Sequence, residues 1–167
     1  ELDEEDSRDF RAGQLRITTL SGSALPGGLA TRWMDRYGDN LYSLYGSTEV
    51  AFASIAGPED LRDDPATAGW IPRGTTIRLV GDDGREVARG ETGRIFISNE
   101  MVFEGYTGGK DKERLDGFVS SGDIGHFDQS GRLVIDGRDD EMIVSGGENI
   151  FPAEVEDLIA GHIEVEE

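Results

Sequence analysis

The stretch Asp116–Glu156, DGFVSSGDIGHFDQSGRLVIDGRDDEMIVSGGENIFPAEVE, concentrates glycines and acids around a change of structural period. Leu133 and Ile135 alternate as in a strand, whereas Val155, Leu158 and Ile159 stand at the i, i+3, i+4 spacing of a helix face. The segment between is a joint. It carries Arg138, Asp139, Asp140 and Glu141, then Ser145-Gly146-Gly147-Glu148-Asn149, whose paired glycines suit a backbone that turns or admits a close approach. Upstream of the joint, Phe118 to Asp128 and Arg132 to Asp136 predict strands around the turn Asp128-Gln129-Ser130-Gly131, with a further turn at Asp116-Gly117. Downstream, a helix is predicted from Pro152, with Gly161 as its stop.

Nearer the start, Leu15 to Leu20 alternates apolar and polar residues and is stopped by Ser21-Gly22-Ser23, after which Pro26 suits the first turn of a helix. Leu29, Trp33 and Tyr37 recur at helical spacing and Gly38 ends the run. Strand, glycine turn and helix in that order predict parallel α/β structure. Leu41 to Tyr45 predicts a second strand running into Gly46-Ser47-Thr48-Glu49, and the ends of such strands are where α/β folds place ligands. From Gly57 the pattern changes. Pro58 to Pro65 reads as loop, strands are predicted at Thr76 to Val80 and Thr92 to Ser98 around the turn Gly81–Gly84, and Lys110 to Leu115 reads as a helical turn. The expected fold is α/β plus β. Residues 1–57 are expected to form a parallel α/β subdomain and 58–138 a small β-rich one.

Composition narrows the function. A formal charge of -19 argues against nucleic acid as a partner, because phosphate neutralisation needs clustered Lys and Arg. ATP is not excluded by it, since its site is local. The absence of cysteine removes disulfides, thiolate catalysis and Cys-ligated metals. His126 and His162 are too far apart in sequence to suggest a His-based metal site. No apolar run has the length of a membrane span, and the expected compartment is the cytoplasm. The acid-rich lead Glu1–Phe10 reads as a solvated turn or frayed end.

Several short motifs carry chemistry, each beside a plainer structural reading. Tyr45-Gly46-Ser47-Thr48-Glu49 sets an aromatic face, hydroxyls and a carboxylate at a strand end: a ring to cover a purine, Thr48 for a phosphate, and Glu49 for magnesium, which prefers hard oxygen ligands. The same five residues also make a polar turn capped by Ser47. Ser120-Ser121-Gly122-Asp123 offers a carboxylate able to accept two ribose hydroxyls, or a surface acid in a turn. Arg138 beside two acids reads first as an intramolecular ion pair. Gly22 and Ser23 can present backbone to a base edge or simply open a helix, and His126 carries no catalytic role.

Order and spacing decide between these readings. SGSALP at 21–26, YGSTE at 45–49, GETGRIFIS at 90–98, SSGD at 120–123 and GRDDEMIVSGGENIFPAEVE at 137–156 follow one another as in a known family. The chain resembles the AMP-forming adenylating superfamily of acyl-CoA synthetases, nonribosomal peptide synthetase adenylation domains and firefly luciferase, over nearly its whole length from Leu15 to His162. The resemblance implies that Gly22 and Ser23 line the adenine with Tyr45 and Gly46 beside it, that Thr48 contacts the α-phosphate, and that Glu49 binds magnesium. It implies that Asp123 takes the ribose hydroxyls with support from Arg138. The resemblance also implies that 1–57 are a partial α/β subdomain, that 58–138 are barrel-like, and that 139–167 are a hinge and the beginning of a small C-terminal α+β domain. Asp140 matches the hinge about which the small domain rotates, and Ser145, Gly146, Gly147, Glu148 and Asn149 would face the thiol acceptor.

In that family a carboxylate attacks the α-phosphorus of ATP to give an acyl adenylate and pyrophosphate, and a thiol then displaces AMP. The expected cofactors are therefore ATP, Mg2+ and coenzyme A, and the expected partner is a carboxylic acid substrate of fatty or lipid-like character, for which the small residues Val50, Ala51, Ala53 and Ala56 would leave room. The run Ser-Gly-Gly-Glu-Asn-Ile-Phe-Pro looks most like acyl-CoA ligases; a fatty acyl-AMP ligase or a peptide-synthetase adenylation domain is the alternative within the family. The family's phosphate loop and its catalytic lysine have no counterpart in the chain, and Ser-Gly-Asp stands where Thr-Gly-Asp is usual. The chain therefore reads as an internal segment of a longer ligase, inactive alone. A non-catalytic acidic binding or interaction module is the reading from another class.

Overall fold

The computed structural model describes residues 14–108, 111–145 and 148–152, together with 155, 156, 159 and 165. The acid-rich lead, Gly146 and Gly147 lie outside the described residues, as does most of the helix expected after Pro152. The fold is mixed α/β, built on two main sheets.

The first sheet has the order β1-β2-β3, with β1 at Thr18–Ser21, β2 at Leu41–Ser47 and β3 at Ala51–Ala56. β1 and β2 are parallel and are joined through α1, Gly27–Tyr37, which begins on the carbonyl of Pro26 and closes with Gly38 N–H donating to Met34 O. The expected strand at Leu15 to Leu20 is thus shorter and shifted toward its glycine. The expected helix face is displaced by one residue: Ala30 and Met34 are buried while Leu29 is exposed. Sequence spacing gave the correct period but favoured the bulky stripe, whereas close packing against Leu41 and Ala56 selects the small Ala30.

β2 continues into an antiparallel hairpin with β3, which the sequence reading did not separate. Val50, Ala53 and Ala56 are fully buried in the packed interior rather than facing open space. Their smallness lets layers approach, which removes the structural basis for reading those three as a roomy acyl pocket. Pro58 to Pro65 also departs from its expected loop, because Pro58–Asp63 forms the short helix α2. Its start has the ordinary signals: proline in the first turn, acids beside it, and Gly57 N–H donating to Asp60 Oδ2 at 2.9 Å.

The second sheet runs β4-β9-β8-β6-β5, with β7 paired to β8. Its strands are β4 Thr67–Gly69, β5 Thr76–Val80, β6 Gly93–Ser98, β7 Arg114–Leu115, β8 Phe118–Phe127 and β9 Leu133–Arg138. The expected helical turn before Asp116 is replaced by β7, which hairpins onto β8 through Asp116-Gly117, both at positive φ. Val50 and Ala53 from the first sheet share one core with Ile77, Leu79, Ile95, Ile97, Val119 and Leu133 of the second. The sheets are also stapled by paired backbone bonds between Ile55 and Trp70. One continuous core thus fixes the C-terminal end of β2 against the middle of β8, and that junction holds the site.

β10, Ile143–Ser145, and β11, Glu148–Ile150, form a separate two-stranded ladder in which Ser145 pairs with Glu148. Phe151 follows it and is buried against Gly137, where an added Cβ would lie 2.7 Å from the ring atom Cδ1. The bare backbone at Gly137 is the seat for this aromatic side chain.

Candidate functional site

Tyr45 leaves the end of β2 toward the second sheet, and its phenol donates to Asp123 Oδ2 at 2.5 Å. The other carboxylate oxygen accepts from Arg138 Nη1 at 3.0 Å. Three strands therefore converge on one carboxylate, and Asp123 and Arg138 are also register partners across β8 and β9. Burial pushes the Tyr45 phenol far up from its ordinary pKa, and the adjoining Asp123 carboxylate adds to the shift. Burial alone would lower the Arg138 pKa, but the carboxylates of Asp123 and Asp140 outweigh it and raise it.

The serines explain how Asp123 is aimed. Ser121 Oγ accepts the Asp123 N–H at 3.1 Å and Ser120 Oγ accepts the Gly122 N–H at 3.2 Å, so side chains satisfy backbone donors where Gly122 adopts positive φ inside β8. Any hydroxyl at position 121 can make that bond, which accounts physically for serine in place of threonine. Gly46 has an equally local reason: a Cβ there would lie 1.9 Å from Ala51 O, so the β2–β3 hairpin closes only over glycine.

Thr48 is exposed at the tip of that hairpin and Glu49 is buried beside it. Residues 99–108 are strapped over the tip by Phe103 N–H donating to Glu49 O at 2.8 Å and Asn99 Nδ2 donating to Val50 O at 2.9 Å. From this segment the Tyr106 phenol donates to Glu49 Oε1, and Lys112 Nζ lies 3.8 Å from the same oxygen. Burial would raise the Glu49 pKa, but bonds from Tyr106, Ser47 and backbone, with the Lys112 charge, bring it below the ordinary glutamate value. Glu49 is thus ionised at neutral pH.

Lys112 connects the two halves. It lines an open cleft of about 310 Å³ together with Arg94, Ser120, Gly122, Arg138, Asp139 and Asp140. Gly22 and Ser23 are exposed just beyond β1, which ends at Ser21 in register with Leu44, the residue before Tyr45. Asp140 is exposed and pairs with Arg138 Nε at 3.3 Å. Ser145 and Glu148 are backbone register partners in the β10–β11 ladder, whereas Gly146 and Gly147 lie outside the described residues.

Sequence reasoning missed Arg94, Tyr106 and Lys112. Arg94 bridges Glu113 and Asp139, with Nε 2.8 Å from Asp139 Oδ2, and so ties the residue before β7 to the residue before Asp140. Its one visible signal is an arginine inside the apolar run of β6. Tyr106 reaches Glu49 across 57 residues of chain, a pairing no local pattern displays.

Tyr45, Asp123 and Arg138 thus form one carboxylate clamp where the end of β2 meets the middle of β8 and the end of β9, with a second, ionised carboxylate at Glu49. Residues 2–107 match the family described as AMP-binding enzyme, and the chain belongs to that family. It is 39% identical to an indoleacetate–CoA ligase of Aromatoleum aromaticum over 87% of this chain and 29% of that protein. It is 30% identical to a long-chain-fatty-acid–CoA ligase of Yersinia pestis over 98% of this chain and 30% of that protein. Among solved structures, the o-succinylbenzoate CoA synthetase of Bacillus subtilis in complex with its acyl-adenylate intermediate superposes with TM-score 0.83 at 29% identity, covering 91% of this chain and 32% of that one. The chain spans about a third of the length of the relatives it matches. Among the described residues no helix is long and apolar enough to cross a membrane, and no cluster of His, Cys, Asp and Glu forms a metal cage.

Proposed function

We propose that the chain is the segment of an AMP-forming acid–thiol ligase that binds adenosine and begins the hinge to the small domain. The observation that carries this is the clamp on Asp123: Tyr45 and Arg138 occupy one lone pair on each carboxylate oxygen and leave the others free to accept a ribose diol. Gly22, Ser23, Tyr45 and Gly46 would border the adenine, and Thr48 would contact the α-phosphate. Glu49 fits a magnesium ion, being a buried, ionised, hard-oxygen donor. The single carboxylate suits magnesium, which commonly keeps most of its ligands as water and nucleotide phosphate. Bound there, the ion would supply charge neutralisation during attack of the acid on the α-phosphorus.

Within this reading the chain's own residues orient and shield. Tyr45 and Arg138 hold Asp123, and the strapping segment covers Glu49. Residues 139–167 begin the small domain, Asp140 is the pivot, and Ser145, Gly146, Gly147, Glu148 and Asn149 meet the thiol of coenzyme A. The substrate is an apolar carboxylic acid of fatty or lipid-like class, which the long-chain relative supports and the aromatic relative broadens. The test is ATP–pyrophosphate exchange by the full-length protein with a panel of aliphatic and aromatic acids, followed by thioester formation with coenzyme A. Exchange dependent on an acid supports the proposal; its absence with every acid opposes it. The chain alone, given ATP, magnesium and a fatty acid, should release no pyrophosphate above background, and clear turnover would refute its incompleteness.

A further inference from the structure

We infer that Lys112 is a further residue of this site, whose ammonium binds the phosphate groups of the nucleotide; the inference rests on the adenylate reading above. The cleft holds three cations, and two are committed. Arg94 is bound by Glu113 and Asp139, and Arg138 by Asp123 and Asp140. Lys112 differs. Its one carboxylate neighbour among the described residues is Glu49 at 3.8 Å, beyond hydrogen-bond distance, so its ammonium retains donors for an incoming acceptor.

Its placement is specific. Lys112 N–H donates to Asp111 Oδ1 at 2.9 Å, and Arg114 Nη2 donates to Phe103 O at 2.9 Å, which fixes the backbone on either side of the flexible stem. The ammonium stands between Glu49, proposed for the metal, and the cleft lined by Gly122 and Arg138, proposed for the ribose. The phosphates of a nucleotide held by Asp123 must pass through that interval to reach Glu49. The electrostatics require such a group. With a formal charge of -19, the chain repels a nucleotide at long range, Asp139 and Asp140 line the cleft, and Glu49 stands beside the Lys112 ammonium. A lysine is a compact point charge on a long stem and can follow a phosphate oxygen as geometry changes, where the forked guanidinium of the committed arginines cannot.

The test is calorimetric titration of the full-length protein with adenosine, AMP and ATP in the presence of a chelator, comparing wild type, Lys112→Met, Lys112→Arg and Asp123→Ala. Lys112→Met should weaken AMP and ATP by about tenfold, leave adenosine unchanged, and lose most of the salt dependence of AMP binding. Lys112→Arg, which keeps the charge, should recover part of the affinity, and both lysine variants should melt within about 1 °C of wild type, as expected of a partly exposed substitution outside the core. Unaltered AMP and ATP affinity in Lys112→Met overturns the inference, as does an equal loss of adenosine, which would mark a structural effect. Failure of the parent reading looks different: wild type then binds neither adenosine nor AMP, and Asp123→Ala changes nothing.

Discussion

Replacing Tyr45 with phenylalanine keeps the ring in its packing and deletes one oxygen, the donor to Asp123 Oδ2 at 2.5 Å. A hydrogen bond to a charged group contributes about 1.5–3 kcal/mol. The Asp123 side chain retains 14% exposure, so water replaces part of the loss, and the expected destabilisation is about 1–2 kcal/mol. For a chain of this length that corresponds to a fall in Tm of roughly 3–6 °C. The bond also fixes the carboxylate proposed for the ribose, so AMP affinity should drop by about 5- to 30-fold, the same energy expressed as binding. Thermal melts and calorimetry read the two effects separately, and a double-mutant cycle with Asp123→Asn should return a coupling of about 1–2 kcal/mol. The pH dependence has a definite sign. The phenol pKa is raised in the folded state, so its contribution is complete below the unfolded value of about 10 and is lost as pH rises above it. In Tyr45→Phe that alkaline loss should be smaller. A variant that melts within about 1 °C of wild type and shows no coupling would refute the clamp.

Three further outcomes follow from contacts around the site. Asp128 accepts from Gly131 N–H, Arg132 N–H and Arg132 Nε at 2.7, 2.8 and 2.8 Å, and these outweigh the upward pull of burial to leave its pKa lowered. Its stabilisation is present above the unfolded pKa of about 3.9 and lost as pH falls below that; Asp128→Asn should cost about 1–3 kcal/mol at neutral pH and flatten the acid limb of a stability curve. Gly137→Ala places a Cβ 2.7 Å from the Phe151 ring and should unseat it, with amide exchange accelerating at 148–151 while β8 stays protected; unchanged exchange there would contradict the seat. Arg94→Gln cuts the ties to Glu113 and Asp139; with a side chain 28% exposed, the expected cost is only about 0.5–1.5 kcal/mol, read in a denaturant titration, with faster exchange at Asp139. An unaffected Asp139 amide would show that this tie does not brace the segment before Asp140.

Much of this architecture is legible in the sequence because local signals and the final packing agree. β5, β8 and β9 lie where their β-forming residues and flanking turns predict strands, and Gly38 ends α1 where the apolar period stops. The disagreements have physical causes. α1 buries Ala30 instead of Leu29 because the face that packs with Leu41, Ala56 and Leu61 carries Ala30 and Met34. β3 hid because its alanines carry no strong strand preference, and their smallness was read as room when it serves close packing. α2 hid behind Pro58, although proline followed by Glu59 and Asp60 is also how a helix begins. At the site, Tyr45 and Asp123 were each visible as candidates, but their contact spans 78 residues and exists only through the pairing of two sheets. Tyr106 and Lys112 had no motif to announce them; only their approach to Glu49 in the folded chain gives them a place.

The central claim is that Asp123 receives the ribose of a bound nucleotide. Calorimetric titration of the chain with AMP and with a nonhydrolysable acyl-adenylate analogue, wild type against Asp123→Ala, tests it most directly. The account predicts saturable binding of both ligands by wild type, weakened at least about tenfold in the variant, as expected for loss of charge-assisted bonds to a hydroxyl pair. AMP binding that is equally tight in Asp123→Ala would contradict it.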